Sequence, residues 1–430
     1  MRRITFYISI IFLSICAVAQ VPKPADPQEG PIAIMNATVH TGNGQVIENA
    51  IITFSDGKIE AVVDATNSRL DLTGYDQIDA SGKHVYPGFI LPSTNLGLEE
   101  VSAVRATLDY DEVGMITPNV RSQIAYNTDS EIIATFRFNG ILTAQIAPQG
   151  GLVTGMSSVM MMDGWNWEDA TLKEDDAMHI NWPSKSYGPR WWRGETERRP
   201  NKNYASQVAS IKELFNDASS YLAGNRKEVN LKLEAMEEVL NGNRNVFVYA
   251  DRAPEIVASI TELKKMKVSN IVLVGGRDAY YVRDLLLEHD IPVILDNVHR
   301  MPSRPEEAID FPFRLPGMLH KAGITVALRH QGMLSRGRNL PFYAGTTAAY
   351  GLDKEEALSL ITSHPAKILG IEDQTGTIEE GKDATFFISE GDVLDMKSSI
   401  ITKAFIQGKS LNLEGKQQRL YKRFKEKYSE

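Results

Sequence analysis

The sequence of 430 residues holds a single cysteine, Cys16, within its first twenty residues. Any core further along must hold by packing, because neither a disulfide nor a thiolate metal site can be built there. Histidine is scarce as well. The eight are His40, His84, His179, His289, His299, His320, His330 and His364. No two stand at the His-X-His or His-X-X-X-His spacing that brings two imidazoles onto one metal. An excess of positive charge is also missing, since 46 Lys and Arg against 55 Asp and Glu leave a formal charge of −9. That balance excludes a general nucleic-acid footprint and disfavours an anionic membrane surface for the chain as a whole. After the N-terminal segment there is no apolar run of membrane-spanning length.

What is present begins with "MRRITFYISIIFLSICAVAQ". Arg2 and Arg3 supply a positive start, Ile4 to Ile15 an apolar stretch, and Ala17-Val18-Ala19 a small-residue cleavage site, which together form a signal peptide over residues 1–19. Lipidation at Cys16 is opposed by the bulk of Ile15, and a retained anchor by the shortness of the run. Cleavage after Ala19 would remove Arg2, Arg3 and the cysteine, moving the charge from −9 to −11. The protein is expected to be exported, periplasmic or secreted.

Residues 20–30, "QVPKPADPQEG", form a Pro-rich flexible linker. From 31 to 86 short β-like runs alternate with turns, and Asp56-Gly57 is a hairpin signal. From 87 to 375 continuous apolar runs such as "GILTAQIA", "NVFVYAD", "NIVLVGG", "IPVILD" and "GITVALR" alternate with helical stretches. Runs of this kind suit parallel strands buried on both faces, and six or seven of them approach a (β/α)₈ barrel. The stretch 151–201 does not parse, and one or two strands are expected there. β texture returns over 376–412, which predicts a small β-sandwich built from both chain ends. Residues 413–430 form a charged helical tail.

"FSDGKIEAV", "IDASGKHVYPGFI", "NGILTAQIAPQGG" and the long stretch from "NLPFYAG" to "KDATFFI", in this order, resemble the amidohydrolase superfamily. Its imidazolonepropionase-like and dipeptidase-like members are the most similar. The resemblance implies a hydrolase acting on carbon–nitrogen bonds, either non-peptide or dipeptide-like. It also implies zinc or another divalent metal at the C-terminal ends of the barrel strands, where bound water becomes hydroxide near neutral pH. The family's ligands would be His-X-His after strand 1, single His residues after strands 5 and 6, and an Asp after strand 8. In this sequence these positions fall on Ser93 and Asn95, on Tyr249, on Gly275 and on Gln331. Neutral oxygens and a bare glycine are poor ligands for zinc, and an amide cannot serve as general base near pH 7. No cofactor is therefore expected. Two readings stay open: a hydrolase with a reduced or relocated site, or a non-catalytic relative. The second would bind a small molecule in the mouth, form a homo-oligomer, or partner an intact amidohydrolase.

Among candidate catalytic residues, His330 ends a barrel strand beside Arg329 and Gln331, and Asp296 and His299 follow "IPVIL". Asp251 is expected to pair with Arg252 or Arg329. His40 and His84 are read as structural, His289 as a helix terminus and His364 as a turn residue. Ser93, Ser157 and Ser158 are expected on mouth loops, but no G-x-S-x-G elbow surrounds them. The Gly-rich "QGGLVTG" lacks the Walker Lys-Ser/Thr and resembles a family loop over the mouth. All five tryptophans, Trp165, Trp167, Trp182, Trp191 and Trp192, fall in one segment. That suggests a packed loop, an active-site lid or a partner surface.

Overall fold

Backbone geometry is taken from a computed structural model, which describes residues 23–428 apart from 225 and 227. The signal segment and the first residues of the linker, 20–22, lie outside the described residues.

At the N-terminal side, β1 (Ile32–His40), β2 (Val46–Ser55), β3 (Lys58–Asp64), β4 (Asp76–Asp79) and β5 (His84–Pro87) follow one another. Asp56 and Gly57 both take positive φ, 49° and 79°. This is the two-residue turn that matches the twist of a hairpin, and Ser55 opposes Lys58 across it. Near the other end come β16 (Phe386–Ser389), β17 (Ile401–Ile406) and β18 (Lys409–Ser410). The order β18-β17-β16-β5-β1-β2-β3, with β4 also on β1, makes one hydrogen-bonded sheet from both chain ends. Its separate core includes Ile34, Ile52, Phe54, Phe386 and Phe405, with Phe54 meeting Phe386 and Phe405 edge-on.

Between these halves lie β6 (Phe89–Thr94), β7 (Ile141–Ile146), β8 (Val153–Met161), β9 (Thr171–Asn181), the short pair β10 (Ser186–Tyr187) and β11 (Arg199–Pro200), then β12 (Asn245–Ala250), β13 (Ile271–Gly275), β14 (Val293–Asp296) and β15 (Val326–Arg329). The order β6-β7-β8-β9-β12-β13-β14-β15 is a nearly closed barrel of eight strands. Seven run parallel; β8 is antiparallel to both neighbours. The reason is the connection. Only residues 147–152 join β7 to β8, too few for the crossover that a parallel strand requires. The unparsed stretch 151–201 thus holds β8, β9 and the β10–β11 ribbon. Ser157 and Ser158, expected on a mouth loop, sit buried within β8.

The seam between β15 and β6 carries no ladder. Residues 360 and 361 fill it instead: Leu328 N–H donates to the Leu360 carbonyl at 3.1 Å and Ile90 N–H to the Ile361 carbonyl at 2.9 Å. Inside, side chains two residues apart share the inner face. Ile90, Val159, Ala177, Phe247, Val272, Ile294 and Ala327 form an apolar layer with Ile368, Leu369 and Ile371 beneath it. One step higher the same strands present His179, Tyr249, Asp296 and Arg329.

One expectation about the ends differs in detail. The linker is pinned rather than loose, since Ala25 N–H donates to Asp163 at 2.9 Å and Gln28 accepts from Gly57 N–H at 3.0 Å. At the other end Lys416–Tyr428 form a helix. Among the described residues, no helix is long and apolar enough to cross a membrane.

Candidate ligand site at the barrel mouth

The polar layer is a continuous buried network. Arg329, at the end of β15, forms an ion pair with Asp296 at the end of β14. Its Nη1 also donates to the Ser93 carbonyl at 3.0 Å and to Ser93 Oγ at 2.5 Å. Its guanidinium lies 5.3 Å from the centre of the Tyr249 ring, within cation–π range. Burial alone would lower the pKa of Arg329, but the charges and hydrogen bonds of Asp296 and Tyr249 together outweigh it and the net direction is upward. The group is therefore a fixed cation.

Ser93 has a left-handed backbone, φ 51°. This conformation is sparsely populated outside glycine. Its N–H donates to Gln145 Oε1 at 3.0 Å, and its hydroxyl lies 2.5 Å from Tyr249 OH. Tyr249 OH also lies 2.8 Å from His179 Nδ1. Burial, reinforced by the nearby Arg329 charge, pushes the His179 pKa down to about 3, so this imidazole is neutral. Burial holds the Tyr249 phenol above its ordinary value. Deeper still, Gln145 Nε2 donates to Asp176 at 2.7 Å and Ser157 Oγ donates to the other Asp176 oxygen at 2.7 Å. Burial raises the Asp176 pKa to about 6, against the lowering effect of those two hydrogen bonds.

Above this layer opens a cavity of 370 Å³ lined mainly by polar groups, among them Asn95, Glu99, Tyr110, Asn181, His330 and Gln331. A side recess of 240 Å³ shares Asn181, Tyr249 and Gln331 with it and adds Asp251, Glu255 and Trp182. Asn95 spends its amide on Glu99, donating at 2.5 Å. His330 lines the cavity with Nδ1 2.8 Å from Tyr343 OH. Burial lowers its pKa to about 4 and leaves the ring neutral.

Four of the five positions carried over from the family, Ser93, Asn95, Tyr249 and Gln331, line this cavity, and Gly275 lines the recess. Among the described residues, no three His, Cys, Asp or Glu side chains come together as metal ligands. Gly275 has φ 99°, and a Cβ there would lie 2.8 Å from Asp251 Oδ1. Gln331 stands two residues beyond Arg329, which takes the inward place at the strand end.

Several pairings differ from expectation. Asp251 pairs with Arg277 at 3.2 Å, and neither with Arg252 nor with Arg329. Of the two candidates after β14, Asp296 pairs with Arg329, whereas His299 Nε2 lies 2.6 Å from Thr346 Oγ1 at a separate surface hollow. The tryptophans do not form one lid. Trp165 and Trp167 precede β9 and Trp182 follows it, so the eleven residues of that strand separate them by roughly 35 Å along the barrel. Trp182 is buried beside the recess, and Trp165 and Trp192 are exposed. Trp191 belongs to a short turn with Trp192 and Arg193. The residues overlooked in the sequence, His179, Gln145, Asp176, Glu99 and Asn181, left one legible mark. In "AMHIN" and "ILTAQI" a polar side chain interrupts an otherwise apolar strand.

A barrel of this topology with a sheet assembled from both chain ends defines the protein class. The model of the amidohydrolase family matches residues 224–411. An amidohydrolase from Thermotoga maritima MSB8 is similar in structure with a TM-score of 0.78 and 25% identity, over 89% of this chain and 99% of that one. Over residues 224–411 the sequence thus matches the amidohydrolase family, and its structural neighbours are amidohydrolase-superfamily proteins. A prolidase complexed with N-methylphosphonate-L-proline shares the fold at a TM-score of 0.56 and 16% identity, over 89% of this chain and 99% of that one. So does a Xaa-Pro dipeptidase with bound methionine, at 0.54 and 14%, over 89% and 100%. No curated protein matches the sequence.

Proposed function

We propose that this amidohydrolase-superfamily protein works without a divalent metal and that its mouth binds a small polar molecule. The observation that carries this reading is the seat of Arg329. A guanidinium paired with Asp296 and bonded to both Ser93 oxygens already puts a fixed positive charge among the positions where the family's ligands would stand. The side chains at the positions carried over from the family are hydroxyls, amides and a bare glycine, which do not fit a divalent ion. The Asp296 carboxylate is taken by Arg329, and a second cation beside that guanidinium would meet repulsion in a medium of low dielectric. No metal-activated water is assigned to this site. Polar groups of the cavity, among them Asn181, Gln149, Tyr110 and Glu99, would instead hydrogen-bond a ligand. The N-terminal segment supports binding outside the cytoplasm, in the periplasm or after secretion.

The names of the structural neighbours favour the second reading, hydrolysis of a dipeptide-like or other carbon–nitrogen bond with a metal. Elemental analysis of the purified protein, melting with and without a chelator, and dipeptide hydrolysis separate the two. The metal-free reading expects no stoichiometric metal, an unchanged melting temperature and no chelator-sensitive turnover. A tightly held zinc, iron or manganese ion whose removal abolishes turnover would overturn it.

A further inference from the structure

The whole-chain charge hides a local reversal. The helix Lys416–Tyr428 carries six Lys or Arg and one Glu, a net of +5, while the rest of the chain carries −14. None of its residues is buried. Leu420, Tyr421, Phe424 and Tyr428 are exposed by 39, 66, 47 and 72%. At about 100° per residue these four fall within an arc of roughly 100°. The half-buried Gln418 and Arg419 face the body from the other side. Two ion pairs tie that other side down: Arg419 to Glu131 at 2.5 Å and Lys422 to Glu414 at 2.6 Å. Lys416, Arg423, Lys425 and Lys427 have no carboxylate within ion-pair distance among the described residues, and they flank the aromatic arc.

We propose that this helix is a peripheral anchor that lays its Leu420–Phe424–Tyr428 face on an anionic bilayer surface. A basic helix of low overall hydrophobicity, with aromatic and Leu side chains on one side and Lys and Arg around them, suits the headgroup boundary. There the aromatic rings bury their apolar bodies, the tyrosine hydroxyls stay wet, and the long basic stems reach the phosphates. The occupant is a lipid surface and not a second copy of the chain. Four side chains fall well short of the ~800 Å² per partner that a stable protein interface buries.

Co-sedimentation of the full chain with phosphatidylcholine vesicles, with and without phosphatidylglycerol, tests this. Two variants are compared in the same full-length background, L420S/F424S and R423Q/K425Q/K427Q, so that the apolar N-terminal run contributes equally to all. The unaltered chain should bind the anionic vesicles, and added salt should weaken that binding. Each variant should bind them about tenfold or more weakly: R423Q/K425Q/K427Q because each basic residue near such a surface contributes on the order of 1 kcal/mol, L420S/F424S because its apolar contact with the acyl boundary is lost. Circular dichroism should show all three folded, as the altered side chains are exposed. Anionic-vesicle binding by either variant equal to that of the unaltered chain would overturn the anchor. So would self-association in light scattering that the variants abolish while vesicle binding stays the same, which would point to a second copy.

Discussion

Arg329 on the last barrel strand donates across the open seam to the carbonyl of Ser93 on the first, at 3.0 Å. The seam has no backbone ladder of its own, so this side chain joins the two ends of the sheet at the mouth. It also sets the chemistry there, because the same guanidinium is paired with Asp296 and packs against Tyr249. Residues 360 and 361 bridge the seam through the backbone, and Arg329 adds the side-chain link at the mouth.

Removing either partner of a buried ion pair leaves the other charge uncompensated. Arg329→Met is expected to destabilise the fold by about 3–5 kcal/mol, read from urea unfolding. Asp296→Leu should do the same. The double variant should lose less than the sum of the two, because neither charge is then stranded. Additive losses would mean that the pair is not coupled.

Tyr249→Phe keeps the ring against Arg329 but deletes the hydroxyl shared by Ser93 and His179. Ser93 Oγ retains Arg329, whereas His179 is left with neither ring nitrogen partnered among the described residues. The expected loss is about 1–3 kcal/mol, that of a buried polar group deprived of its partner. The His179 ring resonances should broaden or shift in the NMR spectrum.

The barrel was legible because runs such as "NVFVYA", "NIVLVGG" and "IPVILD" need burial on both faces, and both-face burial points to parallel strands under helices. β8 was not legible. Its direction follows from the length of the link 147–152, and a sequence does not announce which apolar residue begins a strand. The site divides in the same way. The positions Ser93, Asn95, Tyr249, Gly275 and Gln331 come from the family resemblance; four of them line the cavity and Gly275 lines the recess. What fills the space among them could not be read, because Asp296 and Arg329 lie 33 residues apart and their pairing exists only once β14 and β15 are adjacent. The tryptophan segment misled for the opposite reason. Closeness in sequence says little about closeness in space when an eleven-residue strand runs through the middle.

Gly275 shows why one substitution there does not supply a metal ligand. Its φ of 99° is open to glycine and strained for other residues, and a Cβ would press on Asp251 Oδ1 at 2.8 Å. Gly275→Ala should cost at least about 1 kcal/mol. Gly275→His should cost more and should not confer zinc binding. Calorimetry with zinc would check this, and a fitted one-to-one isotherm for the histidine variant would refute it.

Asp176 supplies a pH dependence whose sign follows from its surroundings. Its ordinary value is 3.8, and burial raises it to about 6 in the folded protein. The folded state therefore holds this proton more tightly than the unfolded chain does. Below about pH 4 both states carry the proton and the full contribution is present. As pH rises from there through about 6, the folded state must release this proton to solvent and leave a charge in a buried site, and stability falls. The loss should be on the order of 3 kcal/mol, two units at 1.36 kcal/mol each. Asp176→Asn removes the titration while keeping a hydrogen-bonding amide beside Gln145 and Ser157. Urea unfolding from pH 4 to 7 should therefore give a shallower decline for the variant than for the unaltered protein. Parallel curves would mean that Asp176 does not titrate in this window, and that its two donors hold the charge in place.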